Sequence, residues 1–198
     1  MGRRGRAKHE RAKPRPRPEN AIILTKKSVA ASQLETAISL WFRYADPISI
    51  LVLAFNAHEL FHALGKRIGK PSEFQTWLES MPQSFQARAK YVINFCKHGW
   101  LDLEEETPHD PRLADLFIYC AGRCYASVFG RLTPMMSAFE LRLCLEYPGL
   151  AIPDAKETLA KLGHVHNAAR ISRQEFLDEY LPLVEIVLSS HSGSPPEG

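Results

Sequence analysis

Apolar residues recur at i, i+3 and i+4 in one segment after another, and no segment alternates apolar with polar as a half-buried strand requires. Lys26 to Ala45 places Val29, Leu34, Ala37, Ile38, Trp41 and Tyr44 on one face, which predicts a first helix. Asp46-Pro47 supplies an N-cap and a proline at the first helical position, so a second helix starts there. In it Ile50, Leu53, Ala54, Ala57, Leu60, Phe61, Leu64 and Ile68 form the main apolar stripe. Leu51, Phe55, His58 and His62 form a second stripe, roughly 130° round from the first at about 100° per residue. A helix apolar on most of its circumference is expected at the centre of a bundle.

Gly69-Lys70-Pro71 ends this helix, and Ser72-Glu73-Phe74-Gln75 opens a short third one with the spacing of a capping box. Pro82 starts a fourth, predicted to run unbroken to His98 with Phe85, Ala89, Val92 and Cys96 as its buried stripe. Residues 99–109 read as an acidic loop around Glu104-Glu105-Glu106. Asp110-Pro111 and Thr133-Pro134 repeat the cap-then-proline signal, for helices that reach Gly130 and Tyr147-Pro148. A short helix is expected over Asp154 to Leu162. A capping box at Ser172 to Glu175 leads into a last helix to Leu188, with Pro182 as a kink. The predicted fold is all-α, a compact antiparallel bundle of about six to eight helices, because short connections make neighbours antiparallel. Residues 25–188 are expected to form a single helical domain, with a disordered basic arm over 1–24 and a disordered tail over 189–198.

Charge divides the chain. Residues 1–20 hold eight Lys and Arg against Glu10 and Glu19, a balance of +6 in a chain of net +3, so the remainder carries −3. With Pro14, Pro16 and Pro18 between its arginines, the arm lacks the apolar side chains that would offset the entropy of ordering. Its functional reading is contact with RNA or another acidic partner, or a basic localisation signal, and the plainer and slightly preferred reading is a solvated extension with no role. No secretory segment is apparent, and the longest apolar run, Ile50 to Phe55, is far short of the roughly 20 residues that span a bilayer. A cytoplasmic location without membrane attachment is therefore expected, with Cys96, Cys120, Cys124 and Cys144 as reduced and mostly buried thiols.

Two groups of polar residues carry candidate chemistry. The first is His58-Glu59-Leu60-Phe61-His62, the H-E-x-x-H pattern of zinc hydrolases. Residues four apart share a helix face, so His58 and His62 would ligate one zinc and Glu59 would act as base on its water. The string continues to Gly65, as in H-E-x-x-H-x-x-G, but Ile68 occupies the third ligand's position. A carboxylate about twenty residues on is the other common third ligand. Glu79 is a little near and Asp102 rather far. The competing reading, and the preferred one, is a pair of packed imidazoles at a helix seam, with no cofactor.

The second group ends the fourth helix, Asn94-Phe95-Cys96-Lys97-His98. Together with Gln33 to Phe42, Ala45 to Ser49 and Ala57 to His62, it resembles a family of small, uncharacterised bacterial all-helical proteins, over roughly residues 25–150. The N-x-x-K-H element is similar in turn to the R-N-x-x-x-H motif of the HEPN superfamily. That resemblance implies metal-independent RNA cleavage at a homodimer interface, with Asn94 and His98 as the candidate catalytic residues. Ile93 stands where the motif has its arginine, so the implied function is a binding or regulatory module, with a degenerate ribonuclease as the alternative. Helix termination is the plainer reading, since Lys97 and His98 suit the negative end of a helix dipole.

Overall fold

The computed structural model describes residues 20–97, 104, 106–150, 155 and 168–190. Among them are eight helices and no strand: α1 (Lys26–Phe42), α2 (Pro47–Arg67), α3 (Glu73–Ser80), α4 (Gln83–Ala89), α5 (Tyr91–Lys97), α6 (Arg112–Phe129), α7 (Pro134–Glu146) and α8 (Arg173–Ser190). The fold is an all-α bundle. The arm over residues 1–19, His98, the expected helix over 154–162 apart from Ala155, and the tail over 191–198 lie outside the described residues.

Helix starts follow local chemistry. The Asp46 carboxylate accepts the Ser49 amide at 2.7 Å and Thr133 Oγ1 accepts that of Met136, each ahead of a proline in the first turn. Ser172 and Glu175 exchange both bonds of a capping box, at 3.2 and 2.8 Å. Gly130 ends α6 at φ 87°, a left-handed conformation that costs glycine nothing.

α2 is the centre, packed most extensively against α1 and α6. Pro47–Arg67 is long and apolar enough to cross a bilayer by length and composition, and half of its most apolar window is buried inside the bundle. The core runs from Leu34, Ile38 and Phe42 of α1, through Leu51, Ala54 and Phe61, to Ile118 and Phe139. Phe176 and Tyr180 of α8 stack on each other at 4.6 Å, and Phe42 stacks on Phe176.

A polar network ties α1, α6, α7 and α8 at one end. Trp41 Nε1 donates to Asp115 at 2.6 Å and the Tyr147 hydroxyl donates at 3.0 Å. Arg173 forks onto Glu146 at 2.9 and 2.6 Å while its guanidinium lies 3.6 Å over the Trp41 ring. Burial pushes the Asp115 carboxyl up, and the two hydrogen bonds oppose that shift.

Two expectations are corrected. α1 stops at Phe42, so Tyr44 is not on its buried face. It adopts φ 51°, is exposed, and sits against the Arg173 guanidinium at 5.0 Å. The predicted fourth helix is two helices, α4 and α5, interrupted at Lys90. Ile93 is the core residue of α5 at 2% exposure, while Phe85 and Cys96 are exposed.

Candidate functional site: the His58–Ser72–His62 clasp

The i, i+4 spacing of His58 and His62 brings the imidazoles together, with ring centroids 6.4 Å apart. Both are directed at one residue of the neighbouring element. His58 Nε2 lies 2.9 Å from Ser72 Oγ, and His62 Nδ1 accepts the Ser72 backbone N–H at 3.1 Å. Ser72 Oγ also accepts the Gln75 amide at 3.2 Å, capping α3. The predicted capping box is thus half made. Gln75 turns away to donate to Glu79 at 3.0 Å, and His62 takes its place as acceptor for the cap's own N–H.

Gly65 explains how Ser72 reaches this position. The chain folds back over the end of α2, with Lys70 N donating to Gly65 O at 2.8 Å. A Cβ at Gly65 would stand 2.1 Å from Lys70 O. Glycine is required by that close backbone approach, and the turn then delivers Pro71 and Ser72 beneath the histidines.

His58 is fully buried, edge-on to Phe74 at 5.8 Å and Phe117 at 5.9 Å. Burial pushes its pKa down to about 4, so it is neutral near pH 7. His62, at 8% exposure, is lowered chiefly by burial, against the pull of Glu79, whose Oε1 lies 3.8 Å from Nε2. Glu59, the residue expected as base, pairs instead with Lys90 at 3.2 Å.

A catalytic zinc site takes three protein ligands and an open position. Ser72 occupies the point where the imidazoles converge, and one nitrogen of each is already engaged there. Among the described residues no three His, Cys, Asp or Glu side chains group to hold a metal ion. As folded, Ser72 and the two imidazoles form a clasp between α2 and α3.

Asn94 is exposed on α5, and His98 lies outside the described residues. Ile93, in the first turn of α5 after Lys90, is sealed in the core. Burial pushes the Cys120 thiol up to about 12, and raises Cys124 as well. All four cysteines are thiols, with Cys96 exposed and the other three buried.

The sequence reading missed the role of Ser72, noted only as a cap, and that of Gly65. It also missed a cavity of about 1070 Å³ beside the clasp, bounded by the α2–α3 turn, α6, α7, Ala155 and α8. Ser72→Ala should lower stability by about 1–2 kcal/mol, from loss of a helix cap and of the His58 hydrogen bond. Urea denaturation checks this, and an unchanged midpoint would refute the clasp as a stabilising element. Comparison of the chain with protein-family models, with curated proteins and with solved structures gives no significant match to any of them.

Proposed function

We propose that this chain is a helical binding or regulatory module of HEPN-like type, which contacts RNA through its basic arm and uses neither catalytic pattern for hydrolysis. The observation that carries the reading is the engagement of both imidazoles by Ser72, which gives the H-E-x-x-H string a structural role. The burial of Ile93 supports it further. An arginine is the cationic phosphate partner in the HEPN motif, and here that position belongs to the core. The +6 balance of residues 1–20 supplies the attraction to phosphate.

Fluorescence anisotropy with a labelled single-stranded RNA tests the proposal. The full chain should bind in a salt-sensitive manner, deletion of residues 1–20 should weaken binding at least about tenfold, and the RNA should remain intact. Cleavage abolished by His98→Ala would establish the ribonuclease reading instead. Stoichiometric zinc in purified protein, lost in His58→Ala/His62→Ala, would establish the hydrolase. No affinity in the full chain would remove RNA from the proposal.

A further inference from the structure

Three consecutive large apolar side chains stand in solvent at one end of the bundle. Ile22, Ile23 and Leu24 are 84, 69 and 72% exposed. A single exposed apolar residue is ordinary on a protein surface, whereas a contiguous run marks a contact. The Thr25–Ser28 capping box, closed by bonds of 3.0 Å in each direction, starts α1 and leaves the run outside the helix. Such a cap often packs the residue before it against the fourth helical residue. Here those residues are Leu24 and Val29, and Leu24 stays exposed, so no staple covers it.

The same end of the bundle is cationic. Lys27 Nζ lies 5.7 Å over the exposed Phe129 ring, which brings the start of α1 to the end of α6. Phe129 meets Phe61 of α2 at 6.1 Å, and α2 then runs out through Arg67, the exposed Ile68 and Lys70. Residues 20–27, 66–70 and 129–131 carry six Lys and Arg and no Asp or Glu. Lys66 is paired with Glu79 at 3.9 Å. Among the described residues, no carboxylate lies within ion-pair distance of Lys26, Arg67 or Lys70, and all three are exposed. Glu73, three residues after Lys70, is exposed and leaves the balance of this end positive.

We propose that this end of the bundle docks on an anionic lipid surface, with Ile22, Ile23 and Leu24 entering the interface and Lys26, Lys27, Arg67 and Lys70 facing the headgroups. The apolar run, Ala21 to Leu24, is far too short to cross a bilayer but sufficient to enter its boundary. Each cation near an anionic surface adds about fivefold to partitioning. A second copy of the chain would bring like charges together, and neutral lipid would leave the cations without a counter-charge. RNA would satisfy the cations but leave the apolar side chains in water. The basic arm joins the body here and adds its +6 to the same attraction. Because the apolar run lies outside residues 1–20, variants separate lipid contact from RNA contact through the arm.

Co-sedimentation of the full chain with vesicles of phosphatidylglycerol and phosphatidylcholine in equal parts, against vesicles of phosphatidylcholine alone, tests this. Binding to the mixed vesicles should be at least about tenfold tighter and should weaken as salt rises. Ile22→Ser/Ile23→Ser/Leu24→Ser should weaken it at least about tenfold and leave the RNA affinity of the parent unchanged. Arg67→Gln/Lys70→Gln should weaken vesicle binding about tenfold. Every substituted side chain is exposed, so both variants should fold as the parent does, which circular dichroism checks. No binding to mixed vesicles, or equal binding to both kinds, would overturn the proposal. Undiminished binding of the triple-serine variant would overturn it as well, since the charge of the arm alone would then account for attraction to lipid. So would a parallel loss of RNA affinity in that variant, which would assign the apolar run to nucleic acid.

Discussion

Gly65→Ala is expected to destabilise the bundle by about 3 kcal/mol, although intrinsic propensity points the other way. In an exposed helix interior alanine is favoured over glycine by about 1 kcal/mol. At this position the new methyl carbon would lie 2.1 Å from Lys70 O, and the obstructing atom is backbone, so no rotamer change relieves the overlap. Either the last turn of α2 unwinds or the 70–71 segment lifts away, giving up the Lys70-to-Gly65 hydrogen bond. Lifting that segment withdraws Ser72 from both histidines, so the loss extends beyond the clash. Overpacking together with broken buried hydrogen bonds places the total at about 3 kcal/mol. Urea denaturation gives the magnitude, and the His58 and His62 imidazole resonances report whether the clasp has opened. A variant as stable as the parent, with unmoved imidazole signals, would show that the turn accommodates the methyl group.

That glycine also shows how far the sequence could be read. H-E-x-x-H-x-x-G is legible as a string, and the helix carrying it is legible from its stripes and the Asp46-Pro47 start. The partners are not. Ser72 lies ten residues beyond His62, and only the fold-back at Gly65 turns an N-cap serine into the common target of two imidazoles. Nothing in the spacing of the string separates convergence on a metal from convergence on a hydroxyl and an amide. Each residue of the string has a structural partner in the fold: His58 has Ser72 Oγ, His62 the Ser72 N–H, Glu59 has Lys90, and Gly65 O accepts from the Lys70 N–H.

The α4–α5 region failed for a different reason. Helical projection assumes an unbroken 100° advance per residue, and Phe85, Ala89, Val92 and Cys96 satisfy that assumption as a set. Neither proline nor glycine marks the interruption at Lys90, and the projected stripe includes Phe85, which is exposed, and misses Ile93 as the core residue of α5. Elements bounded by strong chemistry fared better. Asp46-Pro47, Thr133-Pro134, Ser172 with Glu175, and Gly130 each fix an end through a hydrogen bond or a backbone angle that the residue type itself dictates. The cavity was beyond reach because its walls come from five separated segments, and periodicity tells which face is buried but not which buried faces leave a gap.

The clasp also predicts how stability responds to acid. His58 has an ordinary pKa of 6.5, depressed by burial to about 4 in the fold. Between those values the unfolded chain carries a proton that the folded chain lacks, so stability rises with pH across the window. The contribution is fully present above pH 6.5 and is lost as pH falls through about 4. A shift of that size corresponds to about 3 kcal/mol, since each pKa unit is worth about 1.4 kcal/mol. His62 is shifted in the same direction and adds to the slope. Asp115, raised by burial, acts with the opposite sign as its carboxyl protonates, and it does so whether or not His58 is present. The informative quantity is therefore a difference between two proteins. His58→Gln keeps an amide for Ser72 and cannot titrate in this range. It should be less stable than the parent near pH 7.5, where it lacks the imidazole packed between Phe74 and Phe117. That gap should close by about 3 kcal/mol as pH falls to 4, because only the parent must then bury or release a proton at this position. Urea titrations of both proteins at pH 7.5, 6, 5 and 4 provide the comparison. Parallel stability curves across the whole range would mean that His58 takes up its proton in place, and that the clasp tolerates an imidazolium which its aromatic walls and lack of solvent argue against.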